Sequence, residues 1–178
     1  MSSSYHSQHL ALLLTCHGTS GTVDGLARSI AGARVDLNPH QVDAALFALR
    51  SPLSKGVMLA DEVGLGKTIE AGLVIAQRWA ERRRRILIIV PAILRNQWKQ
   101  ELEQKFFMPC LLLDSRSVEQ LREQGRDPFV TGEQILICSY HFAAARSAEI
   151  QRVPWNLVVI DEAHRMLNVL KSGNRIAS

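Results

Sequence analysis

Five short, unbroken apolar runs punctuate this chain: "VMLA" (57–60), "ILIIV" (86–90), "CLLL" (110–113), "ILIC" (135–138) and "LVVI" (157–160). A strand with one wet face alternates apolar and polar residues. An uninterrupted Val/Ile/Leu run is what a strand covered on both faces needs. Between the runs, apolar residues recur three and four apart, predicting helices over about 67–80, 93–105, 117–124, 139–149 and 162–170. Strands alternating with helices require right-handed parallel crossovers. The expected fold is therefore α/β, a mostly parallel sheet with helices on both faces. Ligands of such sheets gather beyond the carboxyl ends of the strands, so the loops that follow the runs are where chemistry is expected.

The remaining chain adds limits. Its 178 residues suit one domain, and 47% hydrophobic with 21% charged residues excludes a wholly disordered chain. The net charge of +4 is compatible with a polyanionic partner without requiring one. Cys16, Cys110 and Cys138 are odd in number and far apart, which suits a reducing, cytoplasmic setting rather than a disulfide framework. The leucine cluster Leu10 to Leu14 is too short for a signal peptide core and has no Lys or Arg before it. No apolar run approaches the ~20 residues of a membrane-spanning helix. His6, His9, Cys16 and His17 do not make a metal site of ordinary spacing, because the second pair is adjacent. Residues 1–35 are expected to be a partly helical lead-in, with Val23, Leu26 and Ile30 on one face. "LNPHQ" then opens a helix, with Pro39 at its first position, Asn38 as its cap, and Val42, Ala45, Leu46 and Leu49 along one side.

Four loops carry chemistry. After "VMLA" comes "DEVGLGKT", in which Gly64 and Gly66 free the backbone to expose consecutive N–H groups at a helix start. Asp61 stands where a generic G-x-x-x-x-G-K-[ST] phosphate loop has its first glycine. Lys67 would reach the outer phosphates, and the Thr68 hydroxyl would ligate Mg²⁺. The plain alternative is a Gly-rich turn with an exposed lysine. After "LVVI" comes "DEAH": Asp161 is placed to hold Mg²⁺ and Glu162 to orient and deprotonate a water, unless the pair simply opens a helix. With three apolar runs between "VMLA" and "LVVI", both loops are expected at one edge of one sheet. After "ILIIV", Arg95, Gln97, Trp98 and Lys99 offer phosphate contacts and a stacking surface, although Trp98 and Leu102 at helical spacing equally suit a core. After "ILIC", Ser139, Tyr140 and His141 are available to a phosphate. The arginines of "RRRR" (82–85) either touch nucleic acid or complement the end of a helix dipole on a solvated face.

"LADEVGLGKTIEAG", "IIVPAILRNQWKQE", "ICSYHFA" and "VVIDEAH", in that order and preceded by "NPHQ", resemble the motifs of superfamily 2 helicase-type ATPases. The likeness is to the Swi/Snf branch, and within it to bacterial, RNA-polymerase-associated members. That branch has an acidic residue where the generic loop has glycine, as here. The resemblance implies that residues 36–178 form the first RecA-like P-loop lobe, stopping shortly after "DEAH" and so incomplete at its C-terminus. It implies ATP and Mg²⁺ as cofactors, and nucleic acid, above all double-stranded DNA, as partner, within a larger protein complex and away from membranes. Residue by residue, it implies that Gln41 reads the adenine edge and that Gly64, Leu65, Gly66, Lys67 and Thr68 cradle the phosphates. Thr68 and Asp161 would hold the metal, Lys67, Asp161 and Glu162 would serve catalysis, and His164 would couple nucleotide state to a second lobe. Arg95, Gln97, Trp98, Ser139 and Tyr140 fall in the segments that touch one nucleic-acid strand.

The family's arginine finger comes from its second lobe and is worth ~10³–10⁵ in rate in related enzymes. The 178 residues alone are therefore expected to turn over ATP negligibly and to leave apolar sheet surface bare. The competing expectation is a non-hydrolysing nucleotide-binding or interaction module that kept this lobe and lost the motor. A small-molecule kinase would carry a lid and substrate residues in place of "DEAH".

Overall fold

The structure, a computed structural model, describes residues 23–35, 38–50, 56–58, 66–130 and 133–163. Their helices are α1 (Val23–Ser29), α2 (Pro39–Arg50), α3 (Lys67–Ala80), α4 (Arg95–Phe106), α5 (Ser115–Glu123), α6 (Tyr140–Ala145) and α7 (Ser147–Ile150). The strands are β1 (Ile86–Val90), β2 (Cys110–Leu113), β3 (Ile135–Ser139) and β4 (Leu157–Ile160), and a single 3₁₀ turn at Ala92–Leu94 leads into α4.

The four strands form one parallel sheet in the order β2-β3-β1-β4. Leu87 of β1 pairs with Leu136 on one side and Val158 on the other. Every residue of β1 and β3 is buried, as their unbroken apolar runs require. Ile86, Ile88 and Val90 face a core shared with α1 to α4, while Leu87 and Ile89 face a second core with Val118, Phe142 and Ile150. The chain moves from β1 to β2 across the first face and returns to β3 and β4 across the second. Reversed direction on the opposite face is what connections of one hand demand.

Two expectations change. Val57 and Met58, the described half of "VMLA", lie in no strand, and Met58 is 74% exposed. Among the described residues no strand runs alongside them to take up their backbone groups. The other change is at β4, which is an edge strand among the described residues. Its Val158 and Ile160 are exposed on the face that the second core leaves uncovered.

Helix α3 carries more than the single apolar stripe its sequence shows. Ile69 through Ala76 are buried almost without interruption, because α1 and α2 pack over the side turned away from the sheet. Ala80, at the end of the expected stripe, is exposed. Leu26 of α1 is buried in the first core, and the Arg34 N–H donates to the Lys105 carbonyl at 2.7 Å. At the start of α5, Asp114 Oδ1 accepts from the Ser117 N–H at 2.8 Å, and the Ser117 hydroxyl bonds back to the Asp114 N–H. This reciprocal cap fixes where β2 turns into α5.

Candidate nucleotide site

Helix α3 ends beside the start of β1, so its own beginning lies at the carboxyl edge of the sheet, some ~21 Å away at 1.5 Å per residue. Gly66 sits just before it with φ 87°, a left-handed conformation that glycine adopts without cost. Its carbonyl accepts from the N–H groups of Ile69 and Glu70 at 2.7 and 3.2 Å. Lys67 and Thr68 occupy the first turn and are half-buried.

Gln41 closes over this turn. It is 5% exposed, and its Oε1 accepts from the Asn38 N–H at 3.2 Å, capping α2. The other end of the amide lies against Gly66, where a Cβ would meet Gln41 Nε2 at 2.5 Å. Gly66 is thus required twice, for its dihedral and for this approach. Glu70, which no motif singled out, is completely buried one turn further on. Its sequence signal is only an acid in the first turn of a helix, a common surface feature.

The acid turn follows β4. The Asp161 N–H still donates to the Ile89 carbonyl at 3.0 Å, extending the ladder by one residue. Glu162 then enters the left-handed region with φ 53°, and its N–H donates to Asp161 Oδ1 at 2.8 Å. The other described non-glycine residues at positive φ, Arg82 and Phe107, close the ends of α3 and α4, where such residues are common. Glu162 instead follows a strand and is exposed. Backbone held this way costs ~1–3 kcal/mol and gathers at functional sites.

The nucleic-acid candidates are placed differently from expectation. Trp98 is 3% exposed, and its indole N–H donates to Asp161 Oδ2 at 2.9 Å. Tyr140 is 8% exposed and gives its hydroxyl proton to the Asp161 carbonyl oxygen. The Ser139 hydroxyl accepts from the Phe142 N–H at 3.2 Å as the cap of α6. Buried rings offer no face to a base, so the positions of Trp98 and Tyr140 do not provide a stacking surface. The core alternative for Trp98 is the one realised, with Leu102 buried in the same cluster. Gln97 is exposed, bonded to Glu101 at 3.0 Å, and half-buried Arg95 reaches the Leu113 carbonyl at 3.4 Å. Around "RRRR", Arg84 lies 4.9 Å from the centre of the Trp79 ring and Arg83 pairs loosely with Glu81 at 3.7 Å.

Asp61, Glu62, Gly64, Leu65 and His164 lie outside the described residues, as do His6, His9, Cys16, His17 and the helix expected to continue from the acid turn.

Over residues 5–177 the chain matches the SNF2-related domain. It belongs to that family. Relatives of this SNF2-related chain include the RNA polymerase-associated protein RapA of Pectobacterium atrosepticum, 41% identical over 140 residues. The protein of the same name from Serratia proteamaculans is 40% identical over 139 residues. Each match covers 76% of this chain but 14% of the relative, so the chain spans about one seventh of their length. Among solved structures, the Sulfolobus solfataricus SWI2/SNF2 ATPase core in complex with dsDNA superposes with a TM-score of 0.65 at 23% identity. That match covers 81% of this chain and 29% of the other. The fold is thus the α/β, RecA-like lobe that the motifs implied.

The Thr68 hydroxyl in the first turn of α3 and the Asp161 carboxylate after β4 are groups of the kind that Mg²⁺ with a nucleotide takes. Mg²⁺ keeps most of its waters and takes one or two carboxylates together with substrate phosphates, so the absence of any group of three or more His, Cys, Asp or Glu side chains among the described residues is no obstacle. A cavity of about 520 Å³ lined by Arg85, Arg122, Arg126 and Arg152 lies at the opposite edge, where the strands begin, and is separate from this site. No described helix is long and apolar enough to cross a membrane.

Proposed function

We propose that the chain is the ATP-binding lobe of an ATP-dependent, double-stranded-DNA translocating motor of Swi/Snf type. In this reading it hydrolyses ATP with Mg²⁺ only together with a second lobe, in the cytoplasm and within a larger protein complex. The observation that carries the reading is the acid turn after β4, whose two carboxylate oxygens accept from the Trp98 indole and the Glu162 N–H, together with a helix start at Gly66 seated against Gln41.

Each residue then has a task. The backbone from Gly64 to Thr68 and the start of α3 bind phosphate oxygens, with Lys67 reaching the outermost. The Thr68 hydroxyl and Asp161 hold Mg²⁺, which when bound neutralises charge on the phosphate oxygens. Glu162, exposed beside Asp161, orients a water and takes its proton. Gln41 meets the adenine edge while its Oε1 caps α2. His164 passes the nucleotide state onward. Gln97 and Arg95, at the start of α4, meet one DNA strand.

The test separates binding from chemistry. In the intact protein, Lys67→Ala is expected to abolish ATP binding measured by a fluorescent analogue. Glu162→Gln is expected to keep binding and lose DNA-stimulated turnover. Equal loss of binding in both variants would overturn these roles. An intact protein that carries no second lobe, binds ATP and never turns it over would favour the non-hydrolysing module.

A further inference from the structure

Asp161 is gripped from both faces of the sheet. Trp98 reaches it from α4, which packs in the first core, and Tyr140 reaches it from the start of α6, in the second. The indole takes Oδ2 and the phenol takes the carbonyl oxygen, while the Ile89 carbonyl takes the Asp161 N–H and the Glu162 N–H takes Oδ1. A core position needs only ring volume, and Phe or Leu supplies that. A buried indole N–H must find a partner, and here the partner is a carboxylate. An ionised carboxylate has about four lone-pair directions. One on each oxygen is used, which fixes the plane of the group and leaves the rest for a cation or its water.

We propose that Trp98 and Tyr140 are positioning residues for Asp161 from opposite faces of the sheet, Trp98 orienting its carboxylate for Mg²⁺ and Tyr140 fixing the backbone that carries it. This rests on the nucleotide-site reading above. Partners of this kind, one bond removed from a metal ligand, typically change metal affinity about 10–100-fold when lost.

The experiment measures Mg²⁺ dependence rather than turnover. In the intact protein, binding of a fluorescent ATP analogue is titrated with Mg²⁺ for wild type, Trp98→Phe, Tyr140→Phe, Asp161→Asn and the Trp98→Phe/Asp161→Asn pair. Trp98→Phe keeps a ring and loses the N–H; Tyr140→Phe keeps its shape and loses the hydroxyl. The expected result for Trp98→Phe is a Mg²⁺ half-saturation raised about tenfold. A smaller rise is expected for Tyr140→Phe, with Mg²⁺-free nucleotide binding unchanged in both. In the Asp161→Asn background, Trp98→Phe should add nothing. If both aromatic variants keep the wild-type half-saturation while Asp161→Asn raises it, the positioning role is overturned and the site reading stands. A lowered Tm without a shifted half-saturation likewise overturns it, leaving only packing. If Asp161→Asn itself shifts nothing, the site reading fails and this inference with it.

Discussion

Replacing Gly66 with alanine tests the seat beneath Gln41. A non-glycine residue at φ 87° costs roughly 1–2 kcal/mol, because its Cβ crowds the following carbonyl. The new methyl would also stand 2.5 Å from Gln41 Nε2, far inside contact distance. Gln41 is buried, so its amide moves only by giving up the 3.2 Å bond to the Asn38 N–H, a net loss of about 0.5–1.5 kcal/mol. Together these predict a loss of about 2–3 kcal/mol, read by urea unfolding of the chain with far-UV circular dichroism and an unchanged m-value. The decisive comparison repeats Gly66→Ala in a Gln41→Ala background. There the collision is gone and the dihedral cost alone remains, so the two changes should couple by about 1 kcal/mol. Equal losses in both backgrounds would refute the packing of Gln41 on Gly66.

Two further outcomes follow from the core. At Gly72 a Cβ would meet the Phe106 ring at 2.5 and 2.6 Å. Overpacking of this kind costs about 1–3 kcal/mol against ~1 kcal/mol regained in helix propensity, so Gly72→Ala should destabilise by about 1 kcal/mol. In a Phe106→Leu background the sign should reverse, and stabilisation of the wild type would refute the contact. Burial pushes the Cys110 and Cys138 thiols up to about 12, with Glu103 adding to the effect at Cys110. Because the folded values lie above the unfolded ~8.5, this contribution to stability is complete below that pH and is lost as pH climbs toward about 12. Alkylation at pH 8, mapped by mass spectrometry, should therefore reach these two residues only after unfolding.

The sequence by itself determined what depends on short-range pattern. Unbroken runs such as "ILIIV" and "ILIC" marked strands covered on both faces, and Pro39 and the start at Lys67 marked helix beginnings, because cap chemistry and burial periodicity are local. Motif order led Lys67 and Asp161 to be expected at one edge, on the premise of a strand over 57–60 that Val57 and Met58 do not form. Only the tertiary structure decided which face each loop residue turns inward. Tyr140 is offered as a contact because it follows a strand end and carries a polar tip, and Trp98 suits a contact and a core equally by sequence. Their partner, Asp161, is 63 and 21 residues away along the chain, a separation that no local pattern encodes. The same holds for Gln41 against Gly66, and for Val57 and Met58, whose apolar character does not place them in a strand among the described residues.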